Sequence, residues 1–527
     1  MPSHRTDKTG KTATPQRGSG LPGDYIERIL GARVYDVARE TPLEPARRLS
    51  SRLQSRVLLK REDLQPIFAF KLRGAYNKIS RLSRDQSEAG VITASAGNHA
   101  QGVAFAASRL GIRARIVMPT TTPSIKVEAV ADLGAEIVIV GDTYDEALTR
   151  ALADAEKSGR TYIHAYDDPD VIAGQGTIAV EILRQFPDPI DAIFVPIGGG
   201  GLIAGILAYV KFLRPETAVI GVEPVDAASM HAALRAGHPV MLDRVGIFAD
   251  GVAVRQVGEE PFRVAKDLID DVIRVDTDAI CAAILDLFED TRTMVEPAGA
   301  LALAGLKRYS EGRGRAGQTL IAIVSGANIN FHRLRHISER AELGQHREAI
   351  LAVTIPEQPG SFRAFCDRLG PCSITEFNYR YADAGGARVF VGIELKEGEV
   401  EKAQVLTRLR EGGYAVVDMS ANETAKLHAR HLVGGRALGV SDERVFRFQF
   451  PERPGALRRF LDEVAQGWNI TLFRYRNRGA AWGRVLIGLQ IPSEQESAFE
   501  RFLGTSTYEC VEETDNPAYR LFLGSGE

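Results

Sequence analysis

Cysteine and tryptophan are scarce in this chain of 527 residues, at four and two. Cys281, Cys366, Cys372 and Cys510 lie far apart with no C-x-x-C pair, which argues against a disulfide framework or a zinc site. Long apolar runs are missing too. No stretch approaches the roughly 18 residues of a membrane span, and no apolar segment follows the start methionine. Nor does one sign of charge dominate: a net charge of −3 gives no pull toward nucleic acid or an anionic membrane. These absences lead us to expect a cytoplasmic protein with neither kind of partner. Glycine, by contrast, is plentiful at 51 residues, which suggests tight turns or close contacts between backbone and a ligand.

At 44% hydrophobic and 25% charged residues the composition is that of a globular protein, and the length has room for roughly three domains. Residues 1–22 are polar and basic without a periodic apolar face, and read as a disordered tail. An organelle transit peptide is disfavoured there because no amphipathic arginine-rich helix is present. Over 23–330, short branched runs alternate with helix-length stretches. Val57–Leu59, Ile116–Met118, Ile137–Val140, Ile193–Val195, Val219–Val222 and Leu320–Val324 are the strand candidates. Ile125–Leu133, Glu146–Lys157 and Ile203–Phe212 are among the helices between them. This alternation predicts α/β architecture, a mostly parallel sheet with helices on both faces and ligands at the carboxyl ends of its strands.

A charged helical neck or linker follows over 331–348, and then the chain repeats itself. Ile355-Pro356-Glu357-Gln358-Pro359-Gly360 aligns with Phe450-Pro451-Glu452-Arg453-Pro454-Gly455. Phe377-Asn378-Tyr379-Arg380 aligns with Phe473-Arg474-Tyr475-Arg476, and Arg388–Gly392 with Arg484–Gly488. The matches stay in register but for one inserted residue, so we read a tandem duplication: α+β units over 349–421 and 443–516, joined by a linker over 422–442. Each copy is expected to run strand, P-x-x-P-G turn, helix, strand, strand, helix, strand. Neither copy contains a buried nucleophile or metal-ligand cluster, which favours a regulatory role.

Three stretches in the larger domain carry chemistry. In Phe68-Ala69-Phe70-Lys71-Leu72-Arg73-Gly74 a lysine stands among apolar neighbours. Burying an ammonium is costly unless its pKa falls or it is covalently engaged, and a readily deprotonated amine is a good nucleophile. A lysine snorkelling from a helix start is the alternative. Ser95-Ala96-Gly97-Asn98-His99 follows a strand and opens a helix, where free N–H groups suit an anion, although Ser and Asn are also common caps. Gly198-Gly199-Gly200-Gly201-Leu202 lets the backbone wrap around an anion. A flexible linker is a poor account of it, because it stands between a buried strand and an apolar helix.

In type and order these stretches resemble the fold-type-II pyridoxal-phosphate enzymes, and within them the threonine dehydratases (threonine ammonia-lyases). The resemblance runs from about residue 24 to the end. It implies a two-lobed catalytic domain over 23–330 with mostly parallel sheets, followed by paired ACT-like regulatory units. By the same resemblance Lys71 holds pyridoxal 5′-phosphate as a Schiff base and serves as catalytic base. Asn98 bonds the 3′-oxygen, and Gly198, Gly199, Gly200, Gly201 and Leu202 cradle the phosphate. Ser325 faces the pyridine nitrogen, Phe70 packs on the ring, and Ser95 with its loop amides takes the substrate carboxylate. No metal site is implied. L-Threonine would give 2-oxobutanoate and ammonia, and L-serine pyruvate; isoleucine and valine are the expected effectors, and a homotetramer the expected assembly. Phe377–Tyr381 and Phe473–Asn477 are candidate effector strands, or simply β-core.

In serine racemases of this fold a second serine precedes the Gly-Asn pair. Here that position is Ala96, which cannot move a proton, so racemisation is disfavoured. A serine-preferring dehydratase and a non-catalytic amino-acid sensor are the other readings; the duplicated tail counts against the first, and intact Lys71 and Ser325 against the second. For Glu296, support of the site and capping of a surface helix both stay open, and His99 is assigned no role.

Overall fold

The computed structural model describes residues 23–522, apart from 313, 357–360, 371, 373, 381–386, 430–441, 452–459, 461–462, 464–467 and 476–481. The readings of the 1–22 tail, of both P-x-x-P-G turns, of Tyr381 and of Arg476–Asn477 fall outside these residues. Among the described residues no helix is long and apolar enough to cross a membrane.

The first ten strands are β1 (Leu43–Pro45), β2 (Arg56–Arg61), β3 (Val91–Ala94), β4 (Ala114–Met118), β5 (Glu136–Ile139), β6 (Thr161–Tyr162), β7 (Ala192–Pro196), β8 (Ala218–Pro224), β9 (Asp271–Val275) and β10 (Thr319–Val324). They form two sheets, β1-β2-β10-β7-β8-β9 and β5-β4-β3-β6. Apart from antiparallel β1, every pairing is parallel. Side chains alternate across a strand, and the larger sheet uses both faces. Leu58, Ile193, Val195, Ile321 and Ile323 point to one core with the helices Pro169–Gln185 and Gly201–Leu213. Val57, Leu59, Phe194, Leu320, Ala322 and Val324 point to the other, against the helices Thr277–Thr291 and Pro297–Gly312. The smaller sheet packs its own core on the helix Asn98–Leu110. Two lobes result.

A cluster of charges lies inside this fold. Lys60, Glu62, Arg73 and Glu181 are all buried. Lys60 Nζ donates to Glu181 Oε2 at 2.6 Å, and Arg73 bridges Glu181 at 2.6 Å and Glu62 through two bonds of 2.8 Å. Burial disfavours the Arg73 charge, but Glu62 and Glu181 outweigh it and hold the guanidinium firmly protonated. Two cations thus face two anions, as buried charge requires.

The neck is the helix Leu334–Gly344, whose Ile337 and Ala341 join the core of the larger lobe. Beyond it lie β11 (Glu348–Ile355), β12 (Ile374–Arg380), β13 (Ala387–Glu394) and β14 (Ala415–Asp418), then β15 (Glu443–Pro451), β16 (Asn469–Tyr475), β17 (Trp482–Gln490) and β18 (Glu509–Glu512). The sheets run β12-β13-β11-β14 and β16-β17-β15-β18, the same order in both copies. Their registers match as well. Leu351 pairs with Val391 as Phe446 pairs with Ile487, and Phe377 pairs with Val391 as Phe473 pairs with Ile487. Even the irregularity recurs, between Ile374 and Glu376 and between Ile470 and Leu472. A last helix, Pro517–Phe522, covers both sheets: Ala518 and Phe522 pack with Ile350, Ala352 and Phe390, and Tyr519 with Val445 and Leu486. The Phe390 and Phe522 rings meet edge-on at 5.3 Å.

Candidate active site

Four segments converge where parallel strands end. The chain leaving β2 bends at Phe68, a non-glycine residue at φ 55°, and enters the helix Lys71–Ile79. A short bridge, Ala69 to Gly326, ties this bend to the loop after β10, and Phe70 N–H donates to Ser325 O at 3.2 Å. Lys71 is thereby set beside Ser325. Lys71 Nζ donates to Ala165 O at 2.9 Å and lies 5.3 Å from the centre of the Phe70 ring. Burial pulls its pKa down to about 8, against the opposing charge of Glu296. The snorkelling alternative requires an ammonium reaching out into water, whereas this amine turns inward to bond Ala165 O in a partly buried setting.

Asn98 does not cap its helix. Its Nδ2 donates to Glu296 Oε1 at 2.6 Å, and its Oδ1 accepts from Asn328 Nδ2 at 2.8 Å. Asn328 also donates to Ile67 O at 2.8 Å, so the amide cannot flip without losing bonds on both sides. One N–H of Asn98 is left over. Ser95 Oγ accepts from Gly97 N–H at 3.3 Å, and Ser325 Oγ donates to Ala298 O at 3.1 Å.

The glycine run after β7 supplies donors. No backbone bond uses the N–H of Gly198, Gly199 or Gly200, and those of Gly201 and Leu202 open a helix, where no acceptor lies one turn back. Gly200 adopts φ 92°, a conformation side chains rarely take. At Gly199 a Cβ would run into the Tyr166 ring. A strip of unpaired N–H groups, close to a desolvated amine and an oriented amide, fits an anionic cofactor with a carbonyl-derived carbon and a ring oxygen.

Two open points are resolved by burial. Glu296 is 5% exposed and bonds Asn98, so it is no surface cap. Burial first, then the Asp250 charge, pushes its pKa up to about 7. His99 is a core residue, with Nε2 3.0 Å from Ile163 O and its pKa pulled by burial down to about 3. Asn328, Tyr166 and the Ala165 carbonyl were not picked out from the sequence. Their signal was position: each lies in a loop just past a strand of the parallel sheets.

Fold and site define a pyridoxal-phosphate-dependent enzyme. The family described as "Pyridoxal-phosphate dependent enzyme" matches residues 34–326, and the "C-terminal regulatory domain of Threonine dehydratase" matches 339–429 and 434–523. The L-threonine dehydratase biosynthetic IlvA of Burkholderia multivorans is 56% identical, over 95% of this chain and 99% of its own. That of Escherichia coli is 52% identical, over 97% and 99%. Among solved structures, the processed form of threonine deaminase isoform 2 from Solanum lycopersicum is 52% identical, with a TM-score of 0.60 over 61% of this chain and 88% of that one. Maize serine racemase is 33% identical, with a TM-score of 0.56 over 61% and 98%. The chain belongs to the biosynthetic threonine dehydratases. It is a lyase that depends on pyridoxal phosphate and carries the family's C-terminal regulatory domain.

Proposed function

We propose that Lys71 both holds pyridoxal phosphate and moves the α-proton of L-threonine, within a site completed by Phe70, Ser95, Asn98, Gly198–Leu202 and Ser325. The bound cofactor supplies the electron sink that makes the α-carbon acidic. The chain does the rest. An amine with its pKa near 8 is free enough of its proton at neutral pH to act as a base. Asn98, held by Glu296 and Asn328, offers its remaining N–H to the 3′-oxygen. The unpaired N–H groups of the glycine run take the phosphate. Ser325, whose hydroxyl donates to Ala298 O here, would turn that neutral hydroxyl to the ring nitrogen, which a serine cannot hold protonated as a carboxylate would. Ser95 and the amides around it take the substrate carboxylate. Ala96 has no proton to give, so elimination prevails over racemisation. Threonine loses its β-hydroxyl as water, and hydrolysis of the released enamine gives 2-oxobutanoate and ammonia. Serine gives pyruvate as a side activity.

The observation that carries this reading is a desolvated lysine amine beside an oriented amide and a run of uncommitted N–H groups. We further infer that isoleucine inhibits, with valine as a second effector, through residues 349–421 and 443–516. The identical sheet order and register of the two units support a paired sensor. A homotetramer in the cytoplasm fits the same reading. The test is a 2-oxo-acid assay with threonine and with serine, with and without isoleucine, on the full chain and on one ending at Gly344. The full chain should respond to isoleucine and the shorter one should follow a hyperbola and ignore it. Equal inhibition of both would move the effector site into the catalytic domain.

A further inference from the structure

Between the helices Ser229–Ala236 and Glu259–Ala265, the segment Leu242–Arg255 has no regular structure beyond one 3-10 turn, Asp250–Val252. Its ends are tied together. Leu242 N–H donates to Arg255 O and Arg255 Nε donates to Leu242 O, both at 2.9 Å, closing a compact loop.

This loop touches four parts of the molecule. Toward the smaller lobe, Asp250 Oδ2 accepts from Lys126 Nζ at 2.6 Å, and Arg255 Nη1 donates to Asp145 Oδ2 at 2.9 Å. Toward the site, Gly251 lies against Ala298 and Glu296, and Val252 Cα stands 3.0 Å from where a Cβ on Gly198 would be. Toward the neck, Arg333 donates to Ile247 O at 3.2 Å, to Phe248 O at 3.1 Å and to Asp250 Oδ1 at 3.3 Å. Toward the second regulatory unit, Arg244 Nη1 donates to Glu509 Oε1 at 2.9 Å.

Asp250 is the meeting point. One of its oxygens is held by the smaller lobe and the other by the residue that leads into the neck helix. Two turns further along that helix, Arg340 enters a closed ring of charges. It donates to Asp278 Oδ1 at 2.5 Å and to Glu423 at 2.5 and 3.0 Å. Lys426 donates to the same two carboxylates at 2.5 and 3.3 Å. The neck is therefore fixed to the catalytic core at one side and to the segment joining the regulatory units at the other. The three Arg333 bonds, at 3.1 to 3.3 Å, are all on the long side, so a shift of the neck away from the loop would strain them together.

We propose that Leu242–Arg255 is the strap through which the regulatory units set how firmly the smaller lobe closes over the active site, with Asp250 as its switch point. This rests on the regulatory reading given above. The effector acts by favouring a neck position in which the strap releases Lys126, and it can do so only through unequal affinity for the two arrangements.

The test uses the full-length holoenzyme and isoleucine. Arg333→Gln severs the strap from the neck, and Arg244→Ala severs it from the second unit at a pair whose arginine is exposed. Isoleucine should still bind both variants, by calorimetry, within about 3-fold of its wild-type affinity. Its effect on half-saturating threonine should shrink about 5-fold or more in Arg333→Gln and about 2-fold in Arg244→Ala, with kcat unchanged when isoleucine is absent. Lys126→Met should raise half-saturating threonine without any effector. Hydrogen exchange at the strap amides should quicken with isoleucine in the wild type and not in Arg333→Gln. A wild type that ignores isoleucine overturns the regulatory reading and the strap with it. A wild type that responds, beside an Arg333→Gln that responds equally, overturns the strap alone; if Arg333→Gln fails to fold, an undiminished response in Arg244→Ala does the same.

Discussion

Replacing Glu181 by glutamine should cost the protein far more than most single changes of one charge. Glu181 faces Lys60 and Arg73 at 2.6 Å each, with all three side chains fully out of water. Glutamine keeps the volume and removes the charge, so two buried cations are left to share Glu62. Removing one partner of a buried pair typically costs about 3–5 kcal/mol. At roughly 2 °C per kcal/mol for a domain of this size, the Tm should fall by about 6–10 °C. Lys60→Met leaves one cation against two carboxylates and should fall in the same range. The informative variant is the double one, Lys60→Met with Glu181→Gln. It removes one charge of each sign and leaves the two-pronged Arg73–Glu62 pair intact, with both bonds at 2.8 Å. Its cost should be smaller than the sum of the two singles by about 2 kcal/mol or more. Thermal unfolding of the full chain at one scan rate and saturating cofactor reads all three. Single variants melting within about 1 °C of wild type, or a strictly additive double, would refute the reasoning. Because Arg73 shares a helical turn with Lys71, the single variants should also release cofactor faster.

Four further outcomes bear on the site. Borohydride reduction of the holoenzyme followed by peptide mapping should place the cofactor on the Lys71 peptide and nowhere else. Lys71→Ala should abolish both label and turnover while keeping the fold. Reloading of cofactor-free enzyme should speed up with pH and level off above about 8, because only the deprotonated amine can capture a carbonyl; a rate still climbing steeply beyond pH 9 would contradict the depressed pKa. Gly199→Ala should weaken cofactor binding at least ~10-fold, because its methyl group would meet the Tyr166 ring and force the loop apart. Unchanged affinity by equilibrium dialysis would show that the loop has room.

Much of the architecture was legible because it is local. Branched runs such as Leu320–Val324 form buried strands, and the alternation of strand and helix produces parallel sheets. The offset between the two repeats reappears as equal pairing registers. Strand order was not legible. The insertion of β10 between β2 and β7, and the division of the strands between two sheets, depend on packing between segments hundreds of residues apart. The same holds for the site. Lys71, Asn98 and the glycine run stand out from their neighbours, whereas the partnership of Glu296 with Asn98 exists only once the lobes meet. Lys60 and Glu62 carry every mark of surface residues in the sequence, and they are buried because Arg73 and Glu181 neutralise them.

The closing helix Pro517–Phe522 imposes a timetable on the birth of the molecule. Residues leave the ribosome at about 5–20 per second. The catalytic domain has its last strand with β10 and its neck by Gly344, and can close its core at that stage. The first regulatory sheet closes one face with its own Phe365, Leu369, Val405 and Leu409, but its other face waits longer. Leu343, Met419, Ala425 and Ala429 pack with Ile350 and Phe390, but Ala518 and Phe522 complete the cover only after the whole second unit has been synthesised. The nascent chain therefore carries a partly covered apolar face through the final stage of translation. A premature stop within the second unit would leave one face of the first incompletely covered, although not one residue of the first would be missing.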